Sequence, residues 1–340
     1  MSRHARNLLA TTILALVITA LVAGPTAATL PGSNGRITFM RFEADHWQVW
    51  VSKPDLSDAV QITGGASESV CPVWSPDGRR IAFDSNRSDP DPTDEVGIND
   101  VFTMRPDGSD VRRVTDSHGF SGEPAWSPDG SLIAFSSDRG ISPLRQAIYV
   151  IRPDGTEMRR VTEKPRGGNW QGSPRFSPDG RKLVFTEFRP GDGEAGVETS
   201  ALFTINLDGT RLRRITPWAT HPGDADWSPD GKRIVFETIF EFPSRAASVW
   251  IVDADGGHLR QLTFDRVNFD DPETFLFEGS FDPVWSPDGR RILFSHDEYG
   301  PEDGSTGLQT MKPDGSGRTW VSTVHGAEHQ VDWASVRPRR

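Results

Sequence analysis

The pentapeptide Trp74-Ser75-Pro76-Asp77-Gly78 recurs at Trp126, Phe176, Trp227 and Trp285. The spacings are 52, 50, 51 and 58 residues, and a degenerate copy, Trp333-Ala334-Ser335, follows 48 residues later. A unit copied at this period buries its apolar face only by stacking on its neighbours, and about 50 residues suit the four-stranded blade of a propeller.

Each copy reads as the same hairpins. In the segment from Pro124 to Phe135, a short strand ends at Pro128-Asp129-Gly130 and an apolar strand follows. Proline presets φ in such a turn and glycine accepts φ > 0. Ala147-Ile148-Tyr149-Val150-Ile151, a second turn at Pro153-Asp154-Gly155, and Met158 to Thr162 complete four antiparallel strands. The second half recurs around Asp107-Gly108, Asp208-Gly209, Asp255-Gly256 and Asp314-Gly315. Five blades therefore begin near Pro72, Pro124, Pro174, Ala225 and Pro283. Residues 35–39, 47–52 and 60–63 match the last three strands of a sixth, and its first strand is expected at residues 331–335. The fold class predicted is all-β: a six-bladed propeller whose ring closes by pairing the N- and C-terminal strands, which removes open sheet edges.

The repeat resembles that of the TolB-like six-bladed β-propeller family, whose hallmark is [WF]-S-P-D-G followed by an apolar strand. The likeness runs over roughly residues 32–336 and departs from the pattern at Phe176 and Ala334. It implies a binding propeller without the additional N-terminal domain of TolB, with the repeat aromatics Trp74, Trp126, Phe176, Trp227, Trp285 and Trp333 in structural roles.

Arg3 and Arg6 precede an apolar run at residues 8–23, and Thr26-Ala27-Ala28 offers small residues for cleavage. Residues 1–28 thus read as a signal peptide, an uncleaved anchor being the alternative, and residues 29–340 as one propeller domain. The expected location is outside the cytoplasm: periplasmic, cell-envelope or secreted. Cys71 is the single cysteine, so no internal disulfide is expected. The formal charge is −11, and loss of the two arginines in residues 1–28 makes it −13. Such an acidic chain disfavours nucleic acid, and Arg337-Pro338-Arg339-Arg340 reads as a solvated tail. A monomer is expected.

The Asp-Gly turns should lie on one face of the ring and the long connections on the other, where function on a rigid scaffold usually sits. The long connections are residues 84–100, 186–200 and 296–307 within blades, and 163–173 and 264–282 between them. Counting back three from each repeat aromatic gives Cys71, Glu123, Ser173, Asp224, Asp282 and Gln330 at the channel mouth. Glu123, Asp224, Asp282 and Gln330 are the candidate ligand site, suited to a cation or ammonium group; the alternative is that each acid bonds a neighbouring blade. His118, His221 and His325, with His329 nearby, are transition-metal candidates if they converge, and scattered surface histidines otherwise. Asp89-Pro-Asp91-Pro-Thr-Asp94-Glu95 is dense in oxygen ligands but lacks the order of a calcium loop. Phe269, Phe275, Phe277 and Phe281, interleaved with acids, form either a recognition loop or a self-packed cap.

No Gly-x-Ser-x-Gly elbow or phosphate loop is present. The leading expectation is a non-enzymatic binding or scaffold propeller recognising a protein, peptide or glycan of the cell envelope. The alternatives are a metal-dependent polysaccharide lyase or hydrolase working at the channel with calcium or a transition metal, and a sensor or accessory module of an envelope complex.

Overall fold

The computed structural model describes residues 32–336 apart from 91–97, 118, 141–144, 166–168, 191–198, 240–245, 269–275, 300–303 and 322–327. Blade 1 comprises Ser69–Trp74, Ile81–Ser85, Asp100–Met104 and Arg112–Arg113, ordered from channel to rim. Blades 2, 3, 4 and 5 repeat this plan from the inner strands Ser121–Trp126, Trp170–Phe176, Pro222–Trp227 and Leu276–Trp285. Blade 6 joins the two ends of the chain: inner strand Glu328–Val336 pairs antiparallel with Ser33–Glu43, which continues to His46–Ser52 and Val60–Gln61. The ring closes as the sequence predicts.

The pentapeptide repeats for local reasons. Gly78, Gly130, Gly180, Gly231 and Gly289 all sit at φ between 68° and 72°, in the left-handed region that favours glycine. The serine hydroxyl donates to the turn aspartate and accepts the amide that restarts the sheet: Ser75 Oγ to Asp77 Oδ1 is 2.8 Å and Arg80 N to Ser75 Oγ 2.9 Å. The same pair of bonds recurs at Ser127, Ser177, Ser228 and Ser286.

Each aromatic packs against the blade before it. Trp126 joins Val73 and Val101 of blade 1, Trp285 joins Val235 and Val249 of blade 4, and Trp333 joins Val284 and Leu293 of blade 5. The core is therefore a ring of inter-blade layers. Outer-strand arginines reinforce it: Arg159, Arg213 and Arg260 donate to the Leu207, Asp255 and Pro313 carbonyls of the next blade at 2.8, 2.6 and 2.7 Å.

Three expectations about connections need correction. Residues 186–189 and 199–200 are strand, because blade 3 extends its middle hairpin through Lys182–Arg189 and Thr199–Asn206. Likewise 296–299 and 304–307 belong to Ile292–Tyr299 and Gly304–Met311. The segment 264–282 is not one long loop, since Val267–Asn268 pairs with Leu276–Trp285 and gives blade 5 a short fifth strand.

Candidate functional site

The channel wall is built on a bulge repeated in every blade. The inner strand slips register just before the repeat aromatic, as at Val70/Val73, Gly122/Ala125 and Phe281/Val284. Cys71, Glu123, Ser173, Asp282 and Gln330 occupy the bulges at φ between 51° and 57°. A bulge leaves a main-chain amide without a ladder partner, and a buried amide must find another acceptor.

Neighbouring side chains supply those acceptors around the ring. Gln330 Oε1 takes the Cys71 amide at 2.8 Å, Asp84 Oδ1 that of Glu123 at 3.1 Å, and Glu123 Oε2 that of Ser173 at 2.7 Å. Glu237 accepts from Asp224 N at 3.4 Å and also from Asp282 N, and Asp282 Oδ2 accepts from Gln330 N at 3.0 Å. Towards the aromatics, Asp332 Oδ2 takes Trp74 N at 2.7 Å and Asp226 Oδ2 takes Trp285 N at 2.8 Å. Most of the predicted channel-mouth polar groups thus bind one blade to the next. Arg175, wholly buried, is a cation of this wall: burial lowers it to about 10, while Asp224, Asp226, Asp332 and Glu123 favour its charge.

One cluster differs. Carboxylate oxygens of Asp224, Glu237 and Asp282 lie within 4.8 Å of one another, all buried. Neither oxygen of Asp224 makes a hydrogen bond of good geometry among the described residues, although the nearby Ser173 hydroxyl favours its charged form. Burial first, then Arg175 and Asp282 acting in opposite directions, leaves Asp224 well above the usual carboxylate range; burial and its two acidic neighbours do the same to Glu237. Beside them, Asp282 Oδ2 and Asp297 Oδ2 stand 3.4 and 3.6 Å from the His329 ring. Burial opposes charge on that imidazole, but Asp297 and Asp282 outweigh it and raise it to about 9.

Asp224 and Asp282 are therefore brought together, while Glu123 serves elsewhere, holding Ser136 and the Ser173 amide. His221 caps a short 3₁₀ turn, Trp218–Thr220, at the entry to blade 4 and is no part of the cluster. His118, His325, Phe269, Phe275 and the Asp91 to Glu95 stretch lie outside the described residues. Phe277 is corrected from recognition loop to packing: it is 4% exposed, stacked on Phe281 and against Tyr299, because blade 5 extends its inner strand over it. Glu237, Asp84 and Arg175 were missed. Counting six on from each Ser-Pro-Asp-Gly glycine finds Asp84, Ser136, Thr186, Glu237 and Ser295, a position as regular as that of the bulge residues.

These buried groups set a pH dependence. Burial raises Asp84 and Asp332 to about 7, so the folded chain keeps protons that the unfolded chain has released above about pH 4. Stability then falls as pH rises through 7. His329 adds the same sign: its contribution is full below about pH 6.5 and lost through about 9. His296, lowered to about 4 chiefly by burial, opposes this only below about pH 6.5. The melting temperature is expected to drop between about pH 6.5 and 9, with His329→Gln flattening the upper part. Thermal denaturation across that range checks it; a rise would contradict the assignments.

A family model described as the TolB beta propeller domain matches residues 27–191. The TolB structure from Acinetobacter baumannii superposes with a TM-score of 0.66 at 19% identity, covering 90% of this chain and 68% of that one. The chain is a six-bladed β-propeller similar in fold to TolB. A TolB homologue from Chlorobium luteolum is 31% identical over 146 residues, 33% of each chain. The propeller also shares its fold with an oligogalacturonate lyase in complex with manganese, at a TM-score of 0.54 and 14% identity, covering 87% of this chain and 75% of the lyase. It spans between 24% and 67% of the lengths of three curated relatives that it matches.

Proposed function

We propose that this chain is an exported binding propeller of the cell envelope. Its loop face and channel mouth receive a protein, peptide or glycan partner, with Asp224, Glu237 and Asp282 taking a cationic group or a hard divalent ion. The observation that carries the reading is the buried trio itself. Three carboxyl groups at such short range repel one another when ionised, and a bound cation would add to Arg175 in offsetting that charge where neither oxygen of Asp224 has a hydrogen bond of good geometry. Glu237 and Asp282 already accept amides but retain lone pairs for a further ligand. Oxygen-only donors suit calcium, magnesium or manganese better than softer ions.

The same trio favours a second reading, a metal-dependent lyase or hydrolase acting on an acidic polysaccharide, because a hard ion at a channel mouth also serves as a Lewis acid. Calorimetric titration with calcium, manganese and a lysine-rich peptide, beside an assay for polygalacturonate cleavage, separates the two. Binding without turnover is expected. At a hundred times its Kd, such a ligand stabilises the fold by about 2.7 kcal/mol. Asp224→Asn should abolish that gain, while relieving repulsion from Asp282 and Glu237 and withdrawing a carboxylate from buried Arg175 act in opposite directions on the ligand-free protein. Titrations and melting curves unchanged by Asp224→Asn would return the trio to a purely structural role.

A further inference from the structure

At the opposite end of the ring, among the tight turns, a groove of about 540 Å³ runs between blades 4 and 5. Five cations line it, Arg233, Arg260, Arg290, Arg291 and Lys312, against the single acid Asp314. This is an unexpected concentration in a chain of formal charge −11. Among the described residues, some basic groups near these turns meet carboxylates within 4 Å, as Arg80 meets Asp110 and Arg152 meets Glu157. The five groove cations, like Arg181, Lys182 and Arg213 of blade 3, make no such pair, but here five gather in one groove with a single acid among its lining residues.

The repeat supplies an internal control. Arg80 in blade 1 and Arg291 in blade 5 occupy the same position, two residues after the turn glycine, and each reaches a threonine of the third strand, Thr103 or Thr310. In blade 1, Arg80 is neutralised by Asp110, two residues after Gly108, at φ 54°. The matching residue in blade 5 is Gly317, at φ 65°, and Arg291 there reaches only its carbonyl, at 3.3 Å. In blade 4 the matching residue is His258, and Arg233 instead stacks 4.8 Å above the buried Trp285 ring. Arg260 is steadied by the Pro313 and Asp314 carbonyls at 2.7 and 3.2 Å. Three guanidinium groups thus take neutral partners for their direct contacts, with no carboxylate within 4 Å, and a guanidinium presents a planar fork of donors that matches an oxyanion.

We propose that this groove is a binding site for a compact multivalent oxyanion of the phosphate or pyrophosphate class. Its limits argue for a compact ligand over a membrane surface. The adjoining hollow is lined by Asp230, Asp253 and Asp255 beside Lys232 and Arg233, so the basic surface does not extend past it, and the acidic chain as a whole repels an anionic bilayer.

The test uses the full chain and isothermal titration with inorganic pyrophosphate and orthophosphate, beside flotation with vesicles containing anionic phospholipid. Pyrophosphate is expected to bind, more weakly as salt is raised, and the vesicles are not. Gly317→Asp restores the acid that blade 1 carries. Asp110 already adopts that backbone conformation, and a Cβ at Gly317 meets nothing closer than 3.8 Å. This variant should lose at least about tenfold in affinity with its melting temperature unchanged. Should it fold poorly, Arg290→Gln with Lys312→Gln, two exposed side chains, is expected to show the same loss. The proposal is overturned if pyrophosphate does not bind, if vesicles bind and pyrophosphate does not, or if both variants bind as the parent does.

Discussion

A chain cut before residue 328 is expected to lose a stability comparable to that of the whole domain, about 5–15 kcal/mol, and to aggregate at room temperature. Glu328–Val336 is the inner strand of blade 6, and its removal exposes the edge of Ser33–Glu43 along its length. It also takes Val331 and Trp333 from the core layer between blades 5 and 6. Two buried amides lose their acceptors as well, Cys71 N from Gln330 and Trp74 N from Asp332. Leaving each of these unsatisfied costs about 1–3 kcal/mol. Because the strand closes a ring, the effect should be global, with no single blade melting separately. Thermal unfolding and size-exclusion chromatography read this out. Adding a peptide of residues 328–340 should restore part of the lost melting temperature, since it binds only the folded ring. A truncated chain that melts with the parent would refute closure by this strand.

Trp227→Ala should cost about 3–5 kcal/mol, the range for deleting a large buried aromatic. Trp227 is 2% exposed and packs in the layer shared by blades 3 and 4 with Phe176 and Leu202. Its indole N–H meets no acceptor of good geometry among the described residues, so the position is held by area rather than by a polar contact. Trp227→Phe should therefore cost clearly less than Trp227→Ala, because it leaves a smaller cavity, and blade 3 already carries Phe176 at this position. Denaturant melts of the two variants decide it. Equal losses from Ala and Phe would mean that the indole nitrogen has a role this packing does not give it.

The fold was legible because its causes are local and repeated. Gly78 needs φ > 0, Ser75 and Asp77 close the turn, Trp74 must reach the preceding blade, and five copies state this at even spacing. Even closure by Val331 to Ser335 could be read, since the missing first strand of blade 6 had one place to come from. The site was legible in part. Counting back three from the aromatics located the bulges and two members of the acidic trio, Asp224 and Asp282, while Glu123 shares the position without sharing the cluster.

What the sequence determined by itself is whatever one repeat requires of itself and of its neighbour: strand order, turn chemistry, blade number and ring closure. Only the tertiary structure decided which side chains meet across the channel. Pseudo-symmetry places equivalent positions at equal radius, but adjacency depends on which strand projects towards which bulge. Glu237 comes from a second strand and turns to the amides of Asp224 and Asp282, whereas Glu123 turns to Ser173 one blade away. Likewise, four arginines and a lysine scattered from residue 233 to 312 become one basic groove because blades 4 and 5 face each other and Gly317 stands where blade 1 carries Asp110. Charge compensation depends on distances of a few ångströms, and those are set by packing between repeats, which no single copy of the repeat encodes.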